Sequence, residues 1–210
     1  EEATHKKTGA NIPHLRKTLR EVAIEEKQEL PSLLAKLEGM REKLFKEREK
    51  RIHPQKDDKI LTDWNGLMIS AFAKGGRMLG EKEYLDAATE AADYCLTTLR
   101  REDGRLLKRS RRGNAGLPAH LEDYAFLIQG LLDLHEAAFH SRHLQAAVDL
   151  TDLTIKHFAD AENGGLFLTA DDSEKLLVRA KEIYDGAIPS GNSMMALNLL
   201  RIARITGNKK

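Results

Sequence analysis

The sequence predicts an all-α fold, a partial (α/α)6 toroid of helical hairpins with short β-turn excursions between the repeats. Three observations predict it. Beyond about residue 60, apolar residues recur at helical spacing through long segments. These segments alternate in kind, one apolar almost all round and the next with a single apolar stripe. The pattern then restarts, with hairpins opening near residues 62, 121 and 190. A helix apolar on every side is buried on every side, whereas a striped helix keeps one wet face. Inner helix followed by outer helix, repeated, gives concentric rings. The repeat is too long for tetratricopeptide-type units, whose period is about 34 residues.

Residues 1–60 read as a charged helical lead-in belonging to the same toroid. Charged side chains crowd this stretch, and Phe45 is its only aromatic. A short helix is expected from about Leu15 to Glu26. A longer one is expected from Leu33 to Ile52, where Leu33, Leu34, Leu37, Met40, Leu44 and Phe45 share helical spacing. Pro31 and Ser32 suit its start and Pro54 its exit. Glu42–Lys46 and Glu47–Arg51 are i,i+4 pairs in the favourable order. The charged faces read as solvated rather than as a binding tail.

The first hairpin of the 61–210 region opens at Thr62-Asp63-Trp64-Asn65-Gly66 and runs as an apolar helix to Leu79. Gly80 ends it, and a striped helix follows from Lys82 to about Arg100. After the Asp103-Gly104 turn comes a short apolar-basic run, Arg105 to Arg109. The second hairpin opens at Leu121-Glu122-Asp123-Tyr124, runs to about Phe139, and continues with a striped helix from Arg142 to Phe158. A glycine turn (Asn163, Gly164, Gly165) and a strand-like Leu166–Thr169 lead to the third opening, Ser190-Gly191-Asn192-Ser193. These two and a half hairpins form one incomplete domain.

Composition excludes several classes. A net charge of +1 gives no field for nucleic acid or anionic lipid, so neither partner is expected. The run Lys108-Arg109-Ser110-Arg111-Arg112 has no interleaved aromatics and reads as a solvated loop. No apolar run approaches the roughly 20 residues that span a bilayer. The first residues hold no signal-peptide core and the chain does not begin with Met, which suits an internal piece of a longer protein. The single cysteine, Cys95, allows neither an internal disulfide nor a CxxC pair, which suits a reducing, cytoplasmic setting. No metal site and no cofactor is expected. A partial ring leaves open edges, to be covered by the remainder of its own chain or by self-association.

Four ordered stretches carry a resemblance: Asp57 to Ile69, Leu121 to Ile128, Glu162 to Thr169 and Tyr184 to Ser193, with Gly9 to Leu15 more weakly. They are similar to the C-terminal helical region of the YyaL/spermatogenesis-associated protein 20 family, whose members carry an N-terminal thioredoxin-like domain. The resemblance implies the six-hairpin glycosidase-like toroid, shared with N-acylglucosamine and cellobiose 2-epimerases and unsaturated glucuronyl hydrolases. The thioredoxin-like domain is outside these residues, so they carry none of its redox chemistry.

Candidate site residues gather at the starts of the inner helices. Parallel inner helices would bring Asp63-Trp64-Asn65, Glu122-Asp123-Tyr124 and Ser190 to Ser193 to one mouth, where free N–H groups and positive dipole ends favour hydroxyls, carboxylates or phosphates. Trp64, Asn65, Tyr124, Arg179 and Asn192 are the candidate substrate contacts. Capping explains Asp63, Asp123 and Ser190 equally well, and Trp64 and Tyr124 also suit the core. Glu122, Asp123 and Asp185 are the candidate acids and bases for glycoside hydrolysis. His120, just before an inner helix, is the histidine placed for proton abstraction beside a carbonyl. The other helical histidines read as structural. Two functions follow: a pocket that binds or converts a sugar-like molecule by epimerisation, isomerisation or hydrolysis, or a non-catalytic binding or scaffold domain of a thioredoxin-domain protein.

Overall fold

The computed structural model describes residues 14–208; most of the Gly9–Leu15 stretch lies outside them. The chain forms two compact units that divide between Lys56 and Asp57.

The first unit holds α1 (Leu19–Glu25) and α2 (Leu30–Arg48). Thr18 and Glu21 close a capping box that satisfies two backbone donors at the start of α1. Pro31 sits in the first turn of α2, where its missing N–H costs nothing. The exposed face of α2 is laced by Glu38–Arg41 and Glu47–Lys50, so the ion pairs form at i,i+3 spacing.

The second unit runs β1 (Ile60–Leu61), α3 (Thr62–Leu79), α4 (Lys82–Thr98), β2 (Leu107–Arg111), β3 (Asn114–Pro118), α5 (Leu121–Ala138), α6 (Ser141–Phe158) and α7 (Gly191–Thr206). α5 packs against α3 on one flank and α7 on the other, while α4 backs α3 and α6 backs α5. Asp63 bonds Asp123 near the starts of α3 and α5, and a Cβ on Gly191 would touch Leu121 where α7 begins. Further along, Lys74 and Arg201 both reach Asp133. Start lies beside start and later turns beside later turns, so α3, α5 and α7 are parallel inner helices. Each also ends on a left-handed residue, Gly80, Phe139 and Gly207. Phe139 holds φ 57 without the freedom of glycine, a strain of about 1–2 kcal/mol.

The buried core centres on α5, where Phe126, Leu127, Ile128, Leu131 and Leu132 are fully enclosed, together with Phe158 of α6 and Cys95 of α4. Burial pushes the Cys95 thiol up to about 12, so it behaves as a small apolar side chain. α3 differs from expectation. It buries only one side, Thr62, Gly66, Ile69, Ser70, Ala73 and Gly76, and leaves Met68 and Met78 exposed. Among the described helices α3 has inner-ring contact with α5 on one flank only, so its apolar character exceeds the burial available.

The basic run departs further from expectation. It is no solvated loop but a strand: β1, β2 and β3 form an antiparallel sheet, with Leu61 opposite Arg109 and Arg109 opposite Gly116. Arg112 and Gly113, at φ 50 and 79, form the two-residue turn that suits the twist of a hairpin. By contrast, Leu166–Thr169 makes only an isolated bridge between Leu166 and Ala159. Among the described residues, no helix is long and apolar enough to cross a membrane.

Candidate functional site

The starts of α3 and α5 meet around one buried carboxylate. Asp123, in the first turn of α5, is fully buried. Its Oδ2 accepts the N–H of His120 at 2.7 Å and its Oδ1 accepts the N–H of Asp63 at 3.2 Å. The helix N-caps are therefore Leu61, His120 and Ser190. Of the three residues expected to cap, only Ser190 is an N-cap, while Asp63 and Asp123 lie within the first turn of their helices. Asp123 acts from there by holding the backbone of His120, which fixes the entry of the chain into α5.

Lys108 enters from β2. Its Nζ lies 3.2 Å from Asp123 Oδ2 and 3.6 Å from Asp63 Oδ2. The backbone sets this up, because the Thr62 hydroxyl donates to the Leu107 carbonyl and pins β2 to the start of α3. Burial drives the Asp123 carboxyl up to about 7, against the pull of Lys108 and the His120 N–H. Partial burial pulls Lys108 down, but the charges of Asp123 and Asp63 outweigh it and hold the ammonium above its usual pKa. Burial, and then the charge of Lys108, hold His120 below the usual imidazole value. A half-open cleft of about 450 Å³ adjoins this cluster, lined by Lys108 and His120 together with Pro118, Leu168, Thr169 and Glu174.

Among the expected acid–base residues, His120 and Asp123 belong to this cluster, and Glu122 is half-buried beside them. Asp185 does not join it. Its Oδ1 accepts the Ser190 N–H at 2.8 Å, and this bond, then the Ser193 side chain, holds its carboxyl below the usual range. The carboxylates that the fold brings together are Asp63 and Asp123, bridged by Lys108.

The expected substrate contacts are mostly committed elsewhere. Tyr124 is a core residue, 1% exposed; its hydroxyl accepts from the Leu106 N–H at 2.9 Å and from Arg105 Nε, and its ring meets Phe158 edge-on. Asn65 turns back to donate to the Leu61 carbonyl. Arg179 lies over the Phe167 ring, 4.1 Å from its centroid, and donates to the carbonyls of Thr169 and His157, so its charge does not meet Asp185. Asn192 ties three segments, accepting from the Leu166 N–H and donating to the Leu166 and Glu182 carbonyls. Trp64 alone stands free, 62% exposed at the start of α3.

Sequence reasoning missed Lys108 because it read the basic run as a loop. Gly113, between two short runs, was the turn signal that would have marked a hairpin there. Away from the mouth, His157, Asp171 and Asp172 gather one nitrogen and two carboxylate oxygens within 4.8 Å. Arg105 grips Asp172 with both guanidinium nitrogens and His157 bonds Asp171, so this group is already an ion-pair cluster.

No protein-family model matches the chain. Spermatogenesis-associated protein 20 of Homo sapiens is 37% identical over 215 residues, which is 96% of this chain and 27% of that protein. The Mus musculus protein is 38% identical over the same share of each. The chain thus spans about a quarter of the length of these relatives. Among solved structures, the cellobiose 2-epimerase of Spirochaeta thermophila superposes with a TM-score of 0.60 at 16% identity, covering 74% of this chain and 41% of that one. A family 105 glycoside hydrolase of C. acetobutylicum gives 0.58 at 17% identity over 90% and 55%. A D-mannose isomerase gives 0.58 at 19% over 72% and 37%. These likenesses show the fold, a six-hairpin glycosidase-like arrangement of helical hairpins. Over the quarter of those longer proteins that it spans, the chain belongs to the spermatogenesis-associated protein 20 family.

Proposed function

We propose that the mouth formed by α3, α5 and the β2–β3 hairpin binds a sugar or sugar-like molecule and moves a proton beside its carbonyl, as in epimerisation or isomerisation. The observation that carries this reading is the division of labour around Lys108. Asp123 is too buried to touch a ligand, so it acts by positioning: with Asp63 it holds Lys108 at the cleft wall. His120 shares that wall and, with its pKa lowered, is a neutral base near pH 7. In this arrangement His120 takes the proton from the carbon next to the carbonyl, and Lys108, its charge balanced by the carboxylates, donates a hydrogen bond to the oxygen on which negative charge develops. The proton then returns to carbon. The epimerase and isomerase among the structural neighbours support the substrate class. Exposed Leu197 and Leu200 on α7 support burial of that edge by further hairpins or a second copy.

The test is deuterium exchange at C2 of D-mannose, D-glucose and cellobiose in heavy water, followed by proton NMR. Exchange is expected with the parent chain, reduced about a hundredfold or more by His120→Ala and weakened by Lys108→Met. Binding of a sugar without exchange would make this a non-catalytic binding domain. Exchange that survives His120→Ala would remove His120 from the base role.

A further inference from the structure

Free helix starts attract anions, and three of them converge here. In this fold each start is already answered by the protein's own oxygens. At α3 the Asp63 N–H goes to Asp123 Oδ1 and the Trp64 N–H to Asp63 Oδ1. At α5 the His120 N–H goes to Asp123 Oδ2. At α7 the Ser190 N–H goes to Asp185, and the Ser193 N–H to the Ser190 hydroxyl.

Among the cationic side chains nearby, Lys108 and Arg105 are ion-paired, whereas Arg179 meets no carboxylate but lies outside the cleft lining. Lys108 is the only lysine or arginine among the described residues lining the cleft, and its one ammonium faces two carboxylates. Arg105 is paired with Asp172, and Arg179 is turned to Phe167 and two backbone carbonyls. Glu174 adds a negative charge to the rim, and Glu122 lies close enough to His120 to act on it electrostatically.

From this juxtaposition we infer that the mouth takes an uncharged sugar and turns away its phosphate and carboxylate derivatives, with Asp63 and Asp123 setting that selectivity by neutralising Lys108. The inference rests on the sugar-site reading and narrows it. Lys108 has three N–H donors. Asp123 takes a hydrogen bond from it and Asp63 stands at ion-pair distance, which leaves a donor to offer a hydroxyl or carbonyl oxygen without a net positive field. A phosphate there would trade its hydration for a site with no unspent positive charge, which is unfavourable. The selectivity does not hinge on the proton of Asp123. With that proton bound, Asp63 still balances Lys108.

The experiment is calorimetric titration of the chain with D-mannose, D-mannose 6-phosphate and D-glucuronate, with phosphorus NMR of inorganic phosphate alongside. The parent is compared with Asp63→Asn and with Asp63→Asn/Asp123→Asn, each checked for an unchanged circular dichroism spectrum; Asp63→Asn alone serves if the double variant does not fold. The parent is expected to bind D-mannose at least about tenfold tighter than its 6-phosphate, a difference of about 1.4 kcal/mol, and to leave the phosphate line unbroadened. Asp63→Asn should tighten phosphate binding several-fold, and added salt should reverse the gain. A parent that binds the 6-phosphate or D-glucuronate as tightly as the neutral sugar overturns the inference, as does an unchanged preference in Asp63→Asn. If the parent binds no sugar while Asp63→Asn still gains phosphate, the sugar reading falls and the charge compensation stands. If neither happens, both fall.

Discussion

Gly66 of α3 and Gly130 of α5 meet backbone to backbone: a Cβ on Gly130 would lie 2.6 Å from the Gly66 carbonyl oxygen, and one on Gly66 would lie 2.4 Å from the carbonyl carbon of Phe126. The two inner helices approach this closely only because neither carries a side chain at the crossing. Gly130→Ala is therefore expected to destabilise the second unit. Overpacking costs about 1–3 kcal/mol, which exceeds the roughly 1 kcal/mol of helix propensity gained. Gly66→Ala should cost more, since its new methyl strikes three backbone atoms of Phe126 and Leu127, whereas that of Gly130 strikes one backbone oxygen and then the Ile69 side chain. Urea unfolding monitored by circular dichroism measures both, and stabilisation by either substitution would refute the close contact.

Asp133 joins all three inner helices. Its carboxylate takes the Ser70 hydroxyl and Lys74 from α3 and Arg201 from α7, while Arg201 also holds Glu136. Asp133 is almost wholly buried, so Asp133→Ala leaves the Ser70 hydroxyl without its acceptor and the part-buried Arg201 with Glu136 alone. The expected cost is about 2–4 kcal/mol, with the half-exposed Lys74 contributing little of it. Asp133→Asn, which keeps the hydrogen-bonding shape, should lose less. Equal midpoints for the Ala variant and the parent would show the network to be ornamental.

Asp123 makes stability depend on pH in an unusual direction. Burial pushes its carboxyl up to about 7 in the folded chain, from an ordinary aspartate value of 3.8. Between roughly pH 4 and 7 the folded state holds a proton that the unfolded state has released, so this group's contribution to stability falls as pH rises and levels off above about 7. Asp123→Asn removes the dependence. Relative to the parent, the variant should gain on the order of a few kcal/mol between pH 4 and 7. Thermal melts of both across that range check the sign, and a parent that gains on the variant with rising pH would reverse the assignment.

Much of the architecture was legible because it is local. The apolar runs from Thr62 to Leu79 and from Leu121 to Phe139 are helices within a residue of expectation, and Gly80 ends the first as its left-handed φ requires. What escaped was what depends on distant partners. Leu107–Arg111 becomes a strand because Asn114–Pro118 folds back on it across a two-residue turn and Ile60–Leu61, far up the chain, pairs with its other edge. The site divided the same way. His120 and Asp123 were legible because they open a helix. Lys108 was hidden, because only the hairpin register turns it inward. Tyr124 and Asn192 were chosen for their chemistry, but Leu106, Arg105, Leu166 and Glu182 claim their polar atoms.

The hairpin that carries Lys108 has a consequence for how such a protein can diversify. β2 and β3 hang between two helical hairpins, with β2 held along its length by Thr62, β1 and Asp58, while the Arg112-Gly113 tip is exposed. Lengthening or recolouring that tip touches no residue of the inner helices. A lineage can therefore rework the rim of the mouth by mutation in the hairpin alone, while the helical frame beneath stays under purifying selection for packing. Changes at the hairpin tip and changes in the helical packing are thereby nearly independent of one another.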